Sequence, residues 1–190
     1  DVGAHLGQTI KRFRNISSKV LTYSFEPIKD HYELLIKNFG QDKKIKIFNL
    51  ALSDKSVQRL IFKHPYGSSS FFDLDKDMSS VKRRHLSGIV SRVKNVKTET
   101  LDNFCEKNKI SKIDFLKIDT EGYEYKVLIG LDEYLKNVSL IMFEHHYHNM
   151  ILKDYSFTDI HDLLKKNQFK QIYKYKMPFR KTFEYIYKKI

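Results

Sequence analysis

Apolar residues recur along this chain at two alternating periods, and the alternation predicts the fold. Gln8 to Ile16 carries Ile10, Phe13 and Ile16 on one face, which predicts a helix. Val20 to Phe25 reads as a strand ending at Glu26-Pro27. Tyr32, Leu35, Ile36 and Phe39 then fall at helical spacing, with Asp30 as expected cap and Gly40 closing the helix. Ile45 to Leu50 predicts a third strand, Leu101 to Lys107 a helix and Ile113 to Ile118 an apolar strand. Glu124 to Leu135 predicts another helix and Val138 to Phe143 a buried strand. Ser156 with Asp159 has the spacing of a capping box, opening a helix that carries Ile160, Leu163 and Leu164. Gln171–Tyr175 and Phe183–Tyr187 read as two strands joined through Met177-Pro178. Such repetition predicts an α/β fold: a doubly wound, mostly parallel sheet with helices on both faces, closing on a C-terminal antiparallel hairpin.

The stretch 53–98 breaks the rhythm. It offers a hairpin strand at Val57 to Phe62, a polar Gly67-Ser68-Ser69-Ser70 turn and a mixed run to Val96. Connections this long are commonly functional, so a lid over a bound acceptor and a plain surface insertion are both open readings. The length, 190 residues, suits one domain spanning 1–190, its first strand truncated at the start.

Composition narrows the classes. A 41% hydrophobic share with 14% aromatics excludes disorder. The single cysteine, Cys105, excludes a disulfide framework or thiolate cluster and falls beside Leu101 and Phe104 as a core residue. No apolar run approaches the ~18 residues of a membrane span, and no signal peptide is visible, so a cytoplasmic protein is expected. The net charge of +12 comes mostly from scattered lysine. Solvated faces explain that, and an anionic acceptor, a membrane surface or a nucleic acid is the sharper alternative. Lys82-Arg83-Arg84-His85 is the compact basic run, and it lacks the interleaved aromatics of a single-strand binder.

The candidate chemistry opens the chain. In Asp1-Val2-Gly3-Ala4-His5-Leu6-Gly7 an acid precedes two glycines four apart, and Glu26 follows one strand later. Glycine permits φ > 0 and close backbone approach, and a carboxylate at that strand tip can accept both hydroxyls of a ribose. The spacing departs from the dinucleotide fingerprint. Ligands of open parallel sheets bind beyond the strands' carboxyl ends, which directs attention to Asp119 and Glu121, then to Glu144, His145, His146 and His148. Asp119 can orient a ligand, act as base or cap the turn at Gly122. Lys117, inside an apolar strand, requires a carboxylate partner. Glu124 is expected on a helix flank, and Glu121 near the helix N-terminus. A persisting strand puts Glu144, His146 and His148 on one face and His145 on the other. A histidine there suits a general base at neutral pH, a divalent-ion site with Asp119 and Glu144, or a solvated strand end. His5 reads as a loop hydrogen-bonder, and His31, His64, His85 and His161 as incidental.

Five blocks stand in a fixed order: Asp1-Val2-Gly3-Ala4-His5-x-Gly7, Phe25-Glu26-Pro27, Asn49-Leu50-Ala51-Leu52-Ser53-Asp54, Thr100-Leu101-Asp102, and Lys117-Ile118-Asp119-Thr120-Glu121-Gly122-Tyr123-Glu124 followed by Val127-Leu128-x-Gly130. In that order they resemble the FkbM-type methyltransferases, from Asp1 to about Phe169. The resemblance implies a Rossmann-like sheet of class I methyltransferase type and S-adenosylmethionine as cofactor. It implies transfer of a methyl group to a hydroxyl of a sugar, glycan or related metabolite. On that reading Asp1, Gly3, His5, Gly7, Glu26 and Asp119 hold the cofactor, with Ala51 and Ser53 near the adenine. Asp119, Glu144, His145 and His146 form the catalytic set, with a histidine as base and no metal. The partner is a small-molecule or glycan hydroxyl acceptor, with an anionic one among the options and nucleic acid not expected. Two departures are visible: the start of the first strand is absent, and the Asp75 to Val96 insert is longer than expected. The alternatives are a nucleic-acid methyltransferase, although the Asn-Pro-Pro-Tyr loop common in amine methylation of bases is missing, and a cofactor-binding protein without turnover. The oligomeric state is not written in the sequence.

Overall fold

A computed structural model describes residues 1–63, 69–70, 93–147 and 153–190. The glycine turn runs straight into α1 (Gln8–Ile16), with Gly7 at its cap and Ile10 buried. β1 (Thr22–Phe25) and α2 (Lys29–Phe39) follow. Helix α2 starts one residue before the expected cap: Ile28 holds the cap position without a side-chain bond, and Asp30 sits in the first turn. β2 (Ile45–Phe48) and β3 (Ala51–Leu52) are separated at Asn49, whose side-chain amide donates to the carbonyls of Glu26 and Pro27, both at 3.0 Å.

β4 (Gln58–Lys63), β5 (Ser69–Ser70) and β6 (Val93–Glu99) come from the long connection. β6 lies antiparallel to β4 and parallel to β3, while β5 pairs antiparallel with β4. The basic run 82–85, along with His64 and His148, lies outside the described residues.

Next come α3 (Leu101–Lys107), β7 (Ile113–Ile118) and α4 (Glu124–Ile129), then β8 (Val138–His146), α5 (Phe157–Lys166), β9 (Phe169–Lys176) and β10 (Thr182–Lys189). The helix expected over Glu124–Leu135 is two pieces, α4 and a 3-10 turn at Tyr134–Asn137. Gly130 caps α4 at the break, and a Cβ there would lie 2.0 Å from the carbonyl oxygen of Ser53. Asp102 then holds the new turn, accepting the amides of Glu133 (2.9 Å) and Tyr134 (3.2 Å). Ser156 and Asp159 make the expected capping box of α5.

β1 pairs with β2 in parallel, and β7 with β8. Val2 bridges Phe25 and Ile118, both in parallel, and so stands between the two pairs. β10 lies antiparallel between β8 and β9. The strand sequence across the molecule is therefore β2, β1, Val2, β7, β8, β10, β9. Alternate residues of β2 meet different layers: Ile45 and Ile47 pack with Ile10, Leu35 and Phe39 from α1 and α2. Phe48 stacks on Phe25 and meets Phe104 of α3 edge to face. The larger core gathers Ile118, Leu128, Leu131, Leu135, Phe143, Tyr185 and Tyr187, and Cys105 is buried within it. Fully burying side chains of this size stabilises by roughly 1.5–3 kcal/mol each.

Candidate active site

The direction of chain progression reverses at Val2, with β1 and β2 on one side and β7 and β8 on the other. Two loops meet there. Val2 donates to the carbonyl of Lys117 at 2.9 Å and accepts from the amide of Asp119 at 3.0 Å. The amides of Gly3 and Ala4 both reach the Phe25 carbonyl, at 3.1 and 3.0 Å. Gly3 (φ 83°) could carry no side chain, since a Cβ would stand 1.8 Å from the Asp119 carbonyl oxygen. At Gly7 (φ 87°) a Cβ would meet Phe39 at 2.4 Å and Leu35 at 2.9 Å. Both glycines are required for backbone conformation, as the spacing suggested. What approaches them closely is the protein itself, the end of β7 at one and helix α2 at the other.

Glu26 is 4% exposed at the tip of β1. Its Oε2 accepts the amide of His5 and its Oε1 the amide of Ile28, each at 2.8 Å. The carboxylate thus ties the glycine loop to the start of α2. His5 takes a positive φ of 49° and its ring meets the His31 ring edge to face at 4.7 Å. His31 Nδ1 also lies 3.7 Å from Glu26 Oε1. So His31, which the sequence left as incidental, backs both loop and acid. Ala51 packs with Ile28 and Val96. Ser53 is fully buried and donates to Asp54 Oδ1 at 2.9 Å, with Tyr123 Oη 3.3 Å away.

Across the turn, Lys117 finds the carboxylate partner that its position in β7 demanded. Its Nζ donates to Asp119 Oδ2 at 2.9 Å and lies 3.8 Å from Asp1 Oδ1, whose side chain is buried. The Thr120–Gly122 turn that follows contains two left-handed residues, Glu121 (φ 51°) and Gly122 (φ 96°). Glu124 holds that turn closed from the inside, contrary to its expected place on a helix flank. One oxygen accepts the amides of Thr120 and Gly122, both at 3.0 Å, and the Thr120 hydroxyl at 3.1 Å. The other accepts the Tyr155 hydroxyl at 2.7 Å. The capping role weighed for Asp119 is therefore filled by Glu124, and Asp119 faces Lys117 instead. Tyr155 was missed by sequence reasoning; only its distant aromatic spacing could have hinted at it.

β8 extends through His146, three residues beyond expectation, and its pleat separates the two histidines. His145 turns into an aromatic group with ring centroids at 4.8 Å for Tyr147, 6.0 Å for Tyr155 and 5.7 Å for Phe157. Burial, with Lys153 and His146 nearby, pushes its pKa down to about 3. Glu144 and His146 share the opposite face. His146 Nε2 lies 3.5 Å from Glu144 Oε1 and 3.4 Å from Glu121 Oε2, while its Nδ1 meets the buried Thr182 hydroxyl at 3.1 Å. Burial and Lys153 lower the His146 pKa to about 4, with Asp119 pulling the other way. Burial raises Glu144 to about 8 and Glu121 to about 7, and neighbouring carboxylates, led by Asp119, push both the same way. At neutral pH this group holds fewer negative charges than its carboxyls could carry, and an arriving cation would favour their ionisation. Among the described residues, no three His, Cys, Asp or Glu side chains are arranged to hold a metal ion. No described helix is long and apolar enough to cross a membrane.

Three comparisons bear on this arrangement. A 2-O-methyltransferase, NoeI, of Sinorhizobium fredii (strain NBRC 101917 / NGR234) is 28% identical over 156 residues, covering 76% of this chain and 61% of that protein. The chain thus spans less than two thirds of that relative's length. A crystal structure of a methyltransferase FkbM from Methylobacillus flagellatus KT overlays with TM-score 0.60 at 12% identity, over 99% of this chain and 42% of that one. This is a likeness of fold. The methyltransferase FkbM domain matches residues 1–171, nearly the whole chain, and this protein belongs to the FkbM methyltransferase family.

Proposed function

We propose that this chain is a single-domain, S-adenosylmethionine-dependent O-methyltransferase, built on a doubly wound sheet of class I methyltransferase type and acting on a hydroxyl of a sugar, glycan or related metabolite. The observation that carries the reading is a convergence at one sheet edge. The glycine turn and Glu26 stand on one side of Asp119, and Glu121, Glu144 and His146 on the other. The donor set suits a nucleoside that carries a positive charge. An ionised carboxylate offers about four lone-pair sites, and Glu26 spends two on amides, which leaves two for a ribose diol. Asp1, Asp119 and Glu144 supply negative potential for a sulfonium. His5 and the backbone of Gly3 and Gly7 would line the nucleoside side, with Ala51 and Ser53 behind it.

When bound, the cofactor supplies an electrophilic methyl group. The chain must then hold the acceptor hydroxyl in line and receive its proton. Alignment of this kind is worth several kcal/mol, and a positioned base contributes about 10²–10⁴-fold. The Glu121–Glu144–His146 group is the proton-accepting centre, with Asp119 orienting the ligand. Lys117 fixes the direction of the Asp119 carboxylate through their 2.9 Å contact. The carboxyl-rich edge favours a neutral or cationic acceptor over an anionic one, despite the chain's overall positive charge.

The test is calorimetric titration with S-adenosylmethionine and its demethylated product, followed by labelled-methyl transfer into fractionated glycans. Micromolar binding and label on a hydroxyl oxygen support the reading. Absence of cofactor binding, or label confined to RNA, overturns it.

A further inference from the structure

Glu121 stands apart from the other carboxylates of the site in three ways. It sits at a left-handed φ of 51°, a conformation that a glutamate adopts only where its surroundings impose it. It is the more exposed of the two carboxylates that flank His146, at 34% of the side chain against 13% for Glu144. Its own turn is held rigid from beneath by Glu124, which accepts the amides on either side of it, from Thr120 and Gly122. A strained residue on a braced turn, reaching outward beside a buried imidazole, is placed to meet a ligand.

We infer that Glu121 accepts the acceptor's hydroxyl proton and that His146, through an Nε2–H, is a positioning residue which holds the Glu121 carboxylate. This rests on the methyltransferase reading above and deepens it. The tautomer follows from the surroundings. Nε2 faces two carboxylates at 3.4 and 3.5 Å, whereas Nδ1 faces a hydroxyl that can either donate or accept. Placing the proton on Nε2 turns a donor toward the two carboxylates and leaves Nδ1 to accept from the Thr182 hydroxyl. In the step itself the hydroxyl O–H bond breaks and its electron pair is freed for the new oxygen–methyl bond. The proton adds to the Glu121 carboxylate, and the pair of the broken methyl–sulfur bond remains on the sulfur of the sulfonium donor. Glu121 then returns the proton to water.

The charged groups facing Glu121 are Asp119 and Glu124, which favour its protonated form, Arg180 and Lys117, which favour the carboxylate, and Glu144, coupled to it across His146, which is in contact with both. Burial and this balance bring its titration to about 7, the range in which a general base works best.

The experiment compares wild type with Glu121→Gln, Glu121→Asn and His146→Gln. Asparagine tolerates a left-handed φ, which guards against a folding failure at this position. Single-turnover methyl transfer is read against pH, cofactor affinity by calorimetry, and the carboxyl titration by infrared spectroscopy. Expected are a 10²–10⁴-fold slower transfer in both Glu121 variants, loss of the rate increase with pH near 7, loss of a carboxyl band titrating there, and cofactor affinity within about threefold of wild type. His146→Gln retains an amide N–H near the Nε2 position and should lose less than tenfold. Near-wild-type rates in the Glu121 variants overturn the inference, as does an unchanged carboxyl titration. So does a His146→Gln loss as deep as that of Glu121→Gln, which would make the imidazole the base. If wild type binds no cofactor, the methyltransferase reading fails on its own, and the infrared titration still reports whether Glu121 is the group poised near neutrality.

Discussion

Glu26 and Glu121 follow the strands on either side of Val2 and are built on opposite principles. Glu26 is enclosed, and two main-chain amides point at its two oxygens. The two N–H groups hold both oxygens in place, so this acid serves as a fixed acceptor. Burial raises the Glu121 pKa, and Asp119 and Glu124 push it the same way, with a histidine in contact. Its charged form is disfavoured, which makes it responsive to pH and to an arriving cation. Within one site, one acid is arranged to hold and the other to titrate.

The contrast breaks most severely at the hinge between the two regions. Gly3→Ala would drive a methyl group into the Asp119 carbonyl and force a left-handed φ on alanine. We expect more than ~3 kcal/mol of destabilisation in urea melts, within the range of severe overpacking combined with backbone strain. A loss below 1 kcal/mol would mean that the loop moves away from β7 freely. Next, Glu124→Ala removes the common acceptor of the turn and of Tyr155. Leaving buried donors unmet costs about 1–3 kcal/mol each, so the melting temperature should drop clearly, with activity falling alongside as Glu121 loses its support. Glu26→Ala should weaken cofactor binding by ~1–3 kcal/mol in calorimetry, and equal affinity would remove Glu26 from the ribose.

A smaller effect separates the two acids by pH. Glu144 and Glu121, at about 8 and 7 when folded, hold protons that an unfolded glutamate near 4.5 gives up. Their contribution to stability is complete below pH 4.5 and is lost as pH rises through 7 and 8. The histidines act in the other direction, since His145 and His146 are held near 3 and 4 and cost stability as pH falls below 6.5. Between pH 6.5 and 8.5 these two carboxyls should cost the unliganded chain on the order of 1 kcal/mol after allowance for solvent screening, against an opposing gain from the buried Asp1 amino group, held near 5 by burial and Lys117. Glu144→Gln should flatten that slope, and an unchanged slope would locate the titration elsewhere. The smallest effect is none at all. Lys117 already supplies the positive charge beside Asp119 at 2.9 Å, so methyl transfer should survive exhaustive chelation. Loss of turnover restored by Mg²⁺ would give Asp119 and Glu144 the role of metal ligands.

What could be read ahead was whatever depends on near neighbours. Helices α1 and α3, strand β7 and the capping box of α5 lie where periodicity and local hydrogen bonding put them. The division of labour among acids was not legible, because it is set by partners far along the chain. Tyr155 lies 31 residues from Glu124, and Thr182 lies 36 from His146. Nothing local distinguishes Glu121 from Glu124, yet one is strained and half-open while the other is sealed and fully bonded. Likewise the pairing of His145 and His146 as equal candidates dissolves once strand β8 is known to run through both, since the pleat sends one into the rings and the other toward the acids.

The contact between Tyr155 and Glu124 has an optical consequence. The chain contains no tryptophan and twelve tyrosines, so its ultraviolet emission is tyrosine emission. A phenol hydrogen-bonded to a carboxylate at 2.7 Å is efficiently quenched, while the same ring released into an open turn emits more strongly. Loosening of the loop that carries Glu121 would therefore register as brightening of that emission, giving the site its own reporter without any label.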